Sequence, residues 1–196
     1  RYFADFLSAM ESGESIILFP EGISHNGVPA SLRLPQNLFI VGTVNIDETT
    51  YMFSPKVLDR ANTIEFRVTK EEIEQFFAIS HDLALANLKA KGRDMAKDFV
   101  ELSKNRQFTN GEAKIVAQTI TSFFDHLKKA GAEFGFRTSS EIVRLINQLS
   151  IVDPSLSLNE KLDVGIMQKL LPKLHGSRRK LCPILLTLGK LCVTDK

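Results

Sequence analysis

The chain has 196 residues, 43% of them hydrophobic, which is enough for one ordinary domain or two small ones with a real core. Its 25 basic and 23 acidic residues leave a formal charge of +2 and are well mixed, so no stretch marks a dedicated nucleic-acid surface. No apolar run approaches the roughly 18 residues of a membrane span, and Arg1-Tyr2-Phe3-Ala4-Asp5-Phe6 lacks the layout of a secretory signal, so a cytoplasmic protein without membrane contact is expected.

The first predicted element is a helix. Tyr2, Phe3, Phe6, Leu7 and Met10 recur at helical spacing up to Glu11-Ser12-Gly13, where the glycine ends it. With Arg1 rather than a methionine opening that helix, the chain reads as a fragment. Ser15-Ile16-Ile17-Leu18-Phe19 is a short strand, followed by a loop containing Pro20, Gly22, Gly27 and Pro29. Residues 37–45 are apolar in the middle without alternation, as in a parallel-sheet strand buried on both faces.

Ser54-Pro55 signals a short helix, with a capping hydroxyl before proline at the first helical position, and Val57, Leu58 and Ala61 give it an apolar side. Thr63-Ile64-Glu65-Phe66-Arg67-Val68 alternates strictly, which predicts a strand with one solvated face near a sheet edge. Beyond Lys70 the pattern is helical throughout, over about 71–79, 83–103, 112–130, 140–149, 160–171 and 178–193. Capping boxes precede three of these, pairing Thr109 with Glu112, Thr138 with Glu141, and Ser157 with Glu160. The expected organisation is an α/β portion over 1–68, a helical connector or insertion over 69–108, and an all-α portion over 109–196.

Four positions invite a chemical reading. Asn45 ends the buried strand and leads into Asp47 and Glu48; ligands of open α/β sheets bind beyond such strand ends, and an amide there orients a water or a phosphate oxygen. The competing reading is a strand-to-loop cap. Arg60 ends the short helix, where a guanidinium suits phosphate, or else pairs with Asp59 or the helix C-terminus. Arg137 stands just before a capped helix, an unfavourable place for a cation that points to an anionic partner or to a surface pair with Glu133 or Glu141. The run Lys173-Leu174-His175-Gly176-Ser177-Arg178-Arg179-Lys180 reads as solvated charge around a turn, or as a phosphate or oligomer contact. Cys182 and Cys192, ten apart on one predicted helix, would lie about 15 Å apart, beyond the ~7 Å a disulfide spans. The histidines His25, His81, His126 and His175 are too scattered for zinc.

These residues together resemble a family. Leu34-Pro35-Gln36-Asn37-Leu38-Phe39-Ile40-Val41-Gly42-Thr43-Val44-Asn45 is similar to the sensor-1 strand of McrB-like AAA+ nucleoside triphosphatases, which reads Pro-x-Asn-Leu, an apolar run, then Gly-Thr-Met-Asn. Residues 2–11 resemble the helix after the Walker B strand, and residues 53–60 the helix carrying the arginine finger. Arg137 stands in a setting like the sensor-2 helix start, and the turn over 171–178 resembles one in the helical lid. The likeness covers about three quarters of the chain and leaves residues 80–108 unplaced. It implies an α/β fold, a partial AAA+ parallel sheet followed by an all-α lid. It also implies that Asn45 positions the attacking water, that Arg60 reaches a neighbouring subunit's γ-phosphate, and that Arg137, with Asp47 and Glu48, contacts nucleotide.

The resemblance further implies ATP or GTP with Mg2+ as cofactor of the full-length protein, a homo-oligomeric ring, a nuclease partner subunit, and DNA engaged through regions outside this chain. A protein remodeller of the MoxR or dynein kind, or a non-catalytic helical interaction module, is the alternative. There are departures: after its Asn the family reads x-x-Asp-Arg, where this chain has Glu48 and Thr49. The sequence also holds no Gly-x-x-x-x-Gly-Lys-Ser/Thr and no apolar strand ending in Asp-Glu, so these 196 residues alone are expected to bind no cofactor and turn over no nucleotide. In the implied sheet the strands at 38–44 and 63–68 would flank a missing central strand, and their open edges predict that the chain aggregates, swaps elements, or is only the ordered part of a longer protein.

Overall fold

The computed structural model describes residues 3–35, 37–44, 55–78, 85–105 and 112–193. The chain divides into two compact units, Arg1–Met52 and Phe53–Lys196.

In the first unit, helix α1 (Phe3–Ser12) ends where expected. Gly13 takes the left-handed conformation (φ 71°) that a glycine adopts without cost, and its N–H donates to the Ala9 carbonyl at 2.9 Å. Strands β1 (Ile16–Ile17) and β2 (Ser31–Leu32) pair antiparallel, Ile16 opposite Leu32 and Ile17 opposite Ser31. Between them, His25 and Val28 exchange backbone hydrogen bonds of 3.0 and 2.8 Å around Asn26 and Gly27, both at positive φ. That is the Asn-Gly turn whose twist suits a hairpin.

The parallel sheet expected around residues 37–45 is not present among the described residues. Residues 37–44 carry no ladder, and Val41 is 91% exposed. An apolar run becomes a strand only when a neighbour completes its hydrogen bonds, and the one ladder described in this unit joins β1 to β2. Asn45, Asp47 and Glu48 lie outside the described residues. In the second unit the alternating segment 63–68 likewise pairs with no strand among the described residues, with Phe66 93% exposed; the Thr63 N–H donates to the Gln168 carbonyl at 3.2 Å.

The other described elements of the second unit are helices, as expected for its C-terminal part. Helix α2 (Pro55–Leu58) is a single turn, continued by Arg60 and Ala61 donating to the Val57 carbonyl at 3.0 and 2.9 Å. Helix α3 (Lys70–Ala78) is opened by a reciprocal pair, the Thr69 N–H to the Glu72 carboxylate at 2.8 Å and the Glu72 N–H to the Thr69 hydroxyl at 3.2 Å. The helix predicted over 83–103 is broken into two 3₁₀ turns (Leu85–Leu88 and Arg93–Met95) and helix α4 (Ala96–Lys104). The break falls at Lys89-Ala90-Lys91-Gly92, where Ala90 and Gly92 both take positive φ.

The core is built by α5 (Ala113–Ala130), α6 (Phe136–Val152), α7 (Leu158–Gly165) and α8 (Arg178–Val193), with α7 running on through a π turn (Ile166–Leu170) and a 3₁₀ turn (Leu171–Lys173). Helix α5 packs on α8 and α6, and α6 packs on α7 and the π turn. Val116, Ile120, Phe123 and Leu127 form the buried stripe of α5 at helical spacing, meeting Ile142 and Ile146 of α6, Leu162 and Leu170 beyond them, and Ile184 and Leu188 of α8. Gly131 (φ 69°) closes α5 while the Ala132 N–H reaches the Leu127 carbonyl at 3.0 Å, a Schellman-type stop.

Of the three predicted capping boxes, Ser157 with Glu160 forms in full. Thr109 lies outside the described residues, and α5 starts after Glu112 with no side-chain cap. Thr138 is not a cap. Helix α6 begins two residues before it, after Gly135, which leaves Thr138 fully buried inside the helix. No described helix is long and apolar enough to cross a membrane.

Candidate functional site

Two of the polar residues buried in the second unit, Lys173 and Thr138, meet at the first turn of α6. Lys173, at the end of the 3₁₀ turn, is only 6% exposed, and its ammonium is hydrogen-bonded to the Asp59 carboxylate and to the Thr138 hydroxyl, the latter at 3.2 Å. Thr138 in turn donates to the same Asp59 oxygen at 3.3 Å. Three residues from distant points of the chain therefore satisfy one another, and the single turn α2 is pinned to the helical core immediately before Arg60. A buried charge persists only when paired in this way. His175 Nδ1 lies 2.7 Å from the Lys173 carbonyl and braces the chain that follows.

One turn earlier, Lys169 is 1% exposed and its Nζ makes no hydrogen bond among the described residues. Burial holds its amine below the usual lysine value; the Glu141 carboxylate opposes that shift, Lys173 adds to it and Asp59 opposes it. Lys169 precedes Leu170, the last residue of the π turn, a feature that recurs where a helix is bent to a purpose. The π turn also presents the Gln168 carbonyl that accepts from Thr63. On the next face of α6, Arg144 donates to the Ser103 carbonyl and lies 4.0 Å from Glu141, while Gln148 donates to the Leu102 carbonyl at 3.2 Å. These two side chains satisfy carbonyls at the C-terminal end of α4 and fasten it to the core.

Of the sequence candidates, Arg60 is half-buried in the turn after α2, and Arg137 is exposed as the second residue of α6. The knot through Asp59 and Thr138 joins the elements that carry them: Arg60 is the residue after Asp59, and Arg137 the residue before Thr138. The basic run splits in two: Lys173 is buried and paired, whereas Arg178, Arg179 and Lys180 are exposed at the start of α8. Sequence reading missed Asp59, Lys169 and Thr138 as a group. The signal present was Lys169 and Lys173, four apart, among Ile166, Leu170 and Leu174, two cations on an otherwise apolar helix face. Nothing in the sequence named Asp59 as their partner.

Guanidinium groups such as those of Arg60 and Arg137 match phosphate oxygens in their chemistry. No group of three or more Asp, Glu, His or Cys able to hold a metal occurs among the described residues. Comparison with known proteins adds one finding: a family model described as a domain of unknown function (DUF8727) matches residues 82–196, more than half of the chain and every residue of the site except Asp59 and Arg60. No curated protein and no solved structure matches.

Proposed function

We propose that this chain, which belongs to the DUF8727 family, is the sensor, finger and lid half of a ring-forming McrB-like AAA+ nucleoside triphosphatase of the cytoplasm. The observation that carries the reading is the Asp59–Lys173–Thr138 knot, because it ties the turn bearing Arg60 to the start of the helix bearing Arg137. In the proposed cycle Arg137 senses nucleotide from the lid, and Arg60 stabilises charge on the γ-phosphate of a neighbouring subunit. Loss of such a finger costs about 10³–10⁵ in rate. Asn45 orients water, and Asp47 and Glu48 contact nucleotide. The phosphate cradle and the Mg2+ ligands come from outside these residues, as do the contacts with DNA and with a nuclease subunit. The DNA assignment rests on family analogy alone.

The test is hydrolysis of ATP and of GTP by the full-length gene product, for wild type, for Arg60→Ala, and for Arg60→Ala mixed with a partner disabled in metal binding. Loss in Arg60→Ala with recovery in the mixture is the expected result, and undiminished activity of Arg60→Ala removes the residue from the mechanism. A second reading, a non-catalytic helical interaction module, draws on the apolar stripes that α3 and α8 expose; absence of hydrolysis by the wild-type protein would favour it.

A further inference from the structure

Helix α8 carries a surface that the proposed cycle does not use. The helix buries Ile184 and Leu188 against the core. Away from that face, Arg178, Cys182 and Leu185 stand at the i, i+4 and i+7 positions of one line, and with Leu181 and Leu186 they border an apolar notch of about 350 Å³ that is open to solvent. Leu185 is 51% and Leu186 64% exposed, so the notch holds leucine side chains in water with no covering element among the described residues.

The charge at the head of the notch has one sign. Helix α8 contains no acid, and Arg178, Arg179 and Lys180 fill its first turn, where the positive end of the helix dipole opposes them. Lys180 is accounted for: a Cβ at Gly131 would lie 3.8 Å from its ammonium, which places that ammonium against the C-terminal, negative end of α5. The Arg178 and Arg179 side chains are exposed and make no ion pair or hydrogen bond among the described residues. The last turn of α5 adds Lys128 and Lys129, also exposed. Asp125 and Glu133, the acids nearest to these in sequence, pair with none of the five cations among the described residues. The fold thus gathers at one junction, where α5 ends and α8 begins, cations that are far apart in the sequence.

We infer that this surface docks an acidic segment of another protein, with a bulky apolar side chain seated among Leu181, Leu185 and Leu186 and carboxylates set against Arg178 and Arg179. The sign of the partner follows from the two unpaired guanidinium groups, whose planar fork matches carboxylate oxygens and whose place at a helix N-terminus an incoming anion relieves. That the partner is a polypeptide follows from the notch beside them. A nucleic-acid backbone has no apolar knob to fill it and a bilayer has no discrete one, whereas a peptide presents a leucine or aromatic anchor within a turn of a carboxylate. The inference stands on this surface and does not depend on nucleotide hydrolysis.

The experiment is fluorescence anisotropy on the full chain with a labelled helical peptide of alanine, leucine and glutamate, its leucines on one stripe and its glutamates alongside, and with the counterpart that carries lysine for glutamate. A short DNA duplex and vesicles of phosphatidylserine with phosphatidylcholine are the competing probes. Wild type should bind the acidic peptide roughly tenfold more tightly than the basic one, with the preference shrinking in high salt. Arg178→Glu with Arg179→Glu should invert that preference, and Leu186→Ala should weaken the acidic peptide about tenfold. These changes fall on exposed positions, and far-UV circular dichroism checks that each variant keeps its helices. A further readout needs no variant: Cys182 is a free, exposed thiol in the notch, and bound acidic peptide should slow its alkylation by iodoacetamide, followed by mass spectrometry. No preference for the acidic peptide, a preference that survives the charge reversal, or a Cys182 alkylated equally fast with and without peptide would each overturn the inference. Tighter binding of the duplex or of the vesicles, lost on charge reversal, would overturn it as well and assign the two arginines to phosphate.

Discussion

Removing either end of the Asp59–Lys173 pair should not cost the same. The Lys173 side chain is 7% exposed and that of Asp59 36%. Asp59→Ala leaves an ammonium out of water's reach, with the Thr138 hydroxyl as the remaining member of the knot. Stranding one charge of a fully buried pair costs about 3–5 kcal/mol, and partial access of water to this site lowers the expectation to about 2–3 kcal/mol. Lys173→Met leaves a carboxylate that water can reach and that still accepts from Thr138 at 3.3 Å, while the thioether fills the space of the lysine stem. Its cost should be about 1 kcal/mol. The double variant should lie closer to Lys173→Met than to the sum of the two, with a coupling of about 1–2 kcal/mol. Urea unfolding followed by far-UV circular dichroism measures all four proteins, provided the denaturant slope stays constant. Additive costs, or a Lys173→Met more damaging than Asp59→Ala, would refute the reasoning that burial of the ammonium sets the asymmetry.

The buried Lys169 amine titrates below its ordinary 10.5. Between the folded value and 10.5 the unfolded chain holds a proton the folded chain lacks, so this group makes stability rise with pH through that window. Lys169→Met should therefore be more stable than wild type by about 1–2 kcal/mol at neutral pH, with the gap closing toward 10.5; a less stable variant would refute this. Ser157→Ala should cost about 1 kcal/mol. The Ser157 hydroxyl and backbone N–H hold the Glu160 carboxyl below its ordinary 4.5, so this stabilisation is complete above that value and lost as pH falls through the folded one. A thermal-melt difference that persists undiminished in acid would contradict the assignment. Gly165→Ala gains about 1 kcal/mol of helix propensity, but its methyl would come to 3.0 Å from Cγ2 of Ile142, a methyl on a fully buried β-branched side chain. Overpacking costs about 1–3 kcal/mol, so the net effect should be destabilising, and Ile142→Leu, which removes that methyl, should recover part of it in the same melts.

The helical half was legible because its signals are local. The stripe of α5, the Ser157–Glu160 box and the glycine stops at Gly13 and Gly131 each depend on residues a few positions apart, and each appears in the structure. The strands were legible only in part: β1 falls within the run 15–19 read as a strand, whereas an apolar run such as 38–44 states only a wish for burial and its ladder depends on a partner elsewhere. Thr138 shows a local rule overridden from a distance. Its spacing to Glu141 reads as a cap, but Phe136 and Arg137 already continue the helix, and the hydroxyl is used by Lys173 and Asp59, 35 and 79 residues away. Arg60 and Arg137 could be nominated from residue type and setting, whereas the knot beside them could not.

Lys169 and Lys173 separate two uses of buried charge on one helix face. With Leu162, Ile166 and Leu170 they occupy positions that pattern alone would give to apolar side chains. Lys173 returns something for its desolvation: it joins α2 to α6 through Asp59 and Thr138. Lys169 joins nothing by hydrogen bond among the described residues, and its burial opposes its own charge. If both were there for stability alone, replacing either by methionine should leave the turn after α2 in place. If the knot positions Arg60, Lys173→Met and Asp59→Ala should loosen the backbone at 57–61 toward hydrogen exchange, where the amides of Arg60 and Ala61 are bonded to Val57. Lys169→Met should leave that protection unchanged while raising the melting temperature by roughly 2–4 °C per kcal/mol gained. Equal protection in all three variants would reduce the knot to one more packing contact and would remove the physical link between the two arginines.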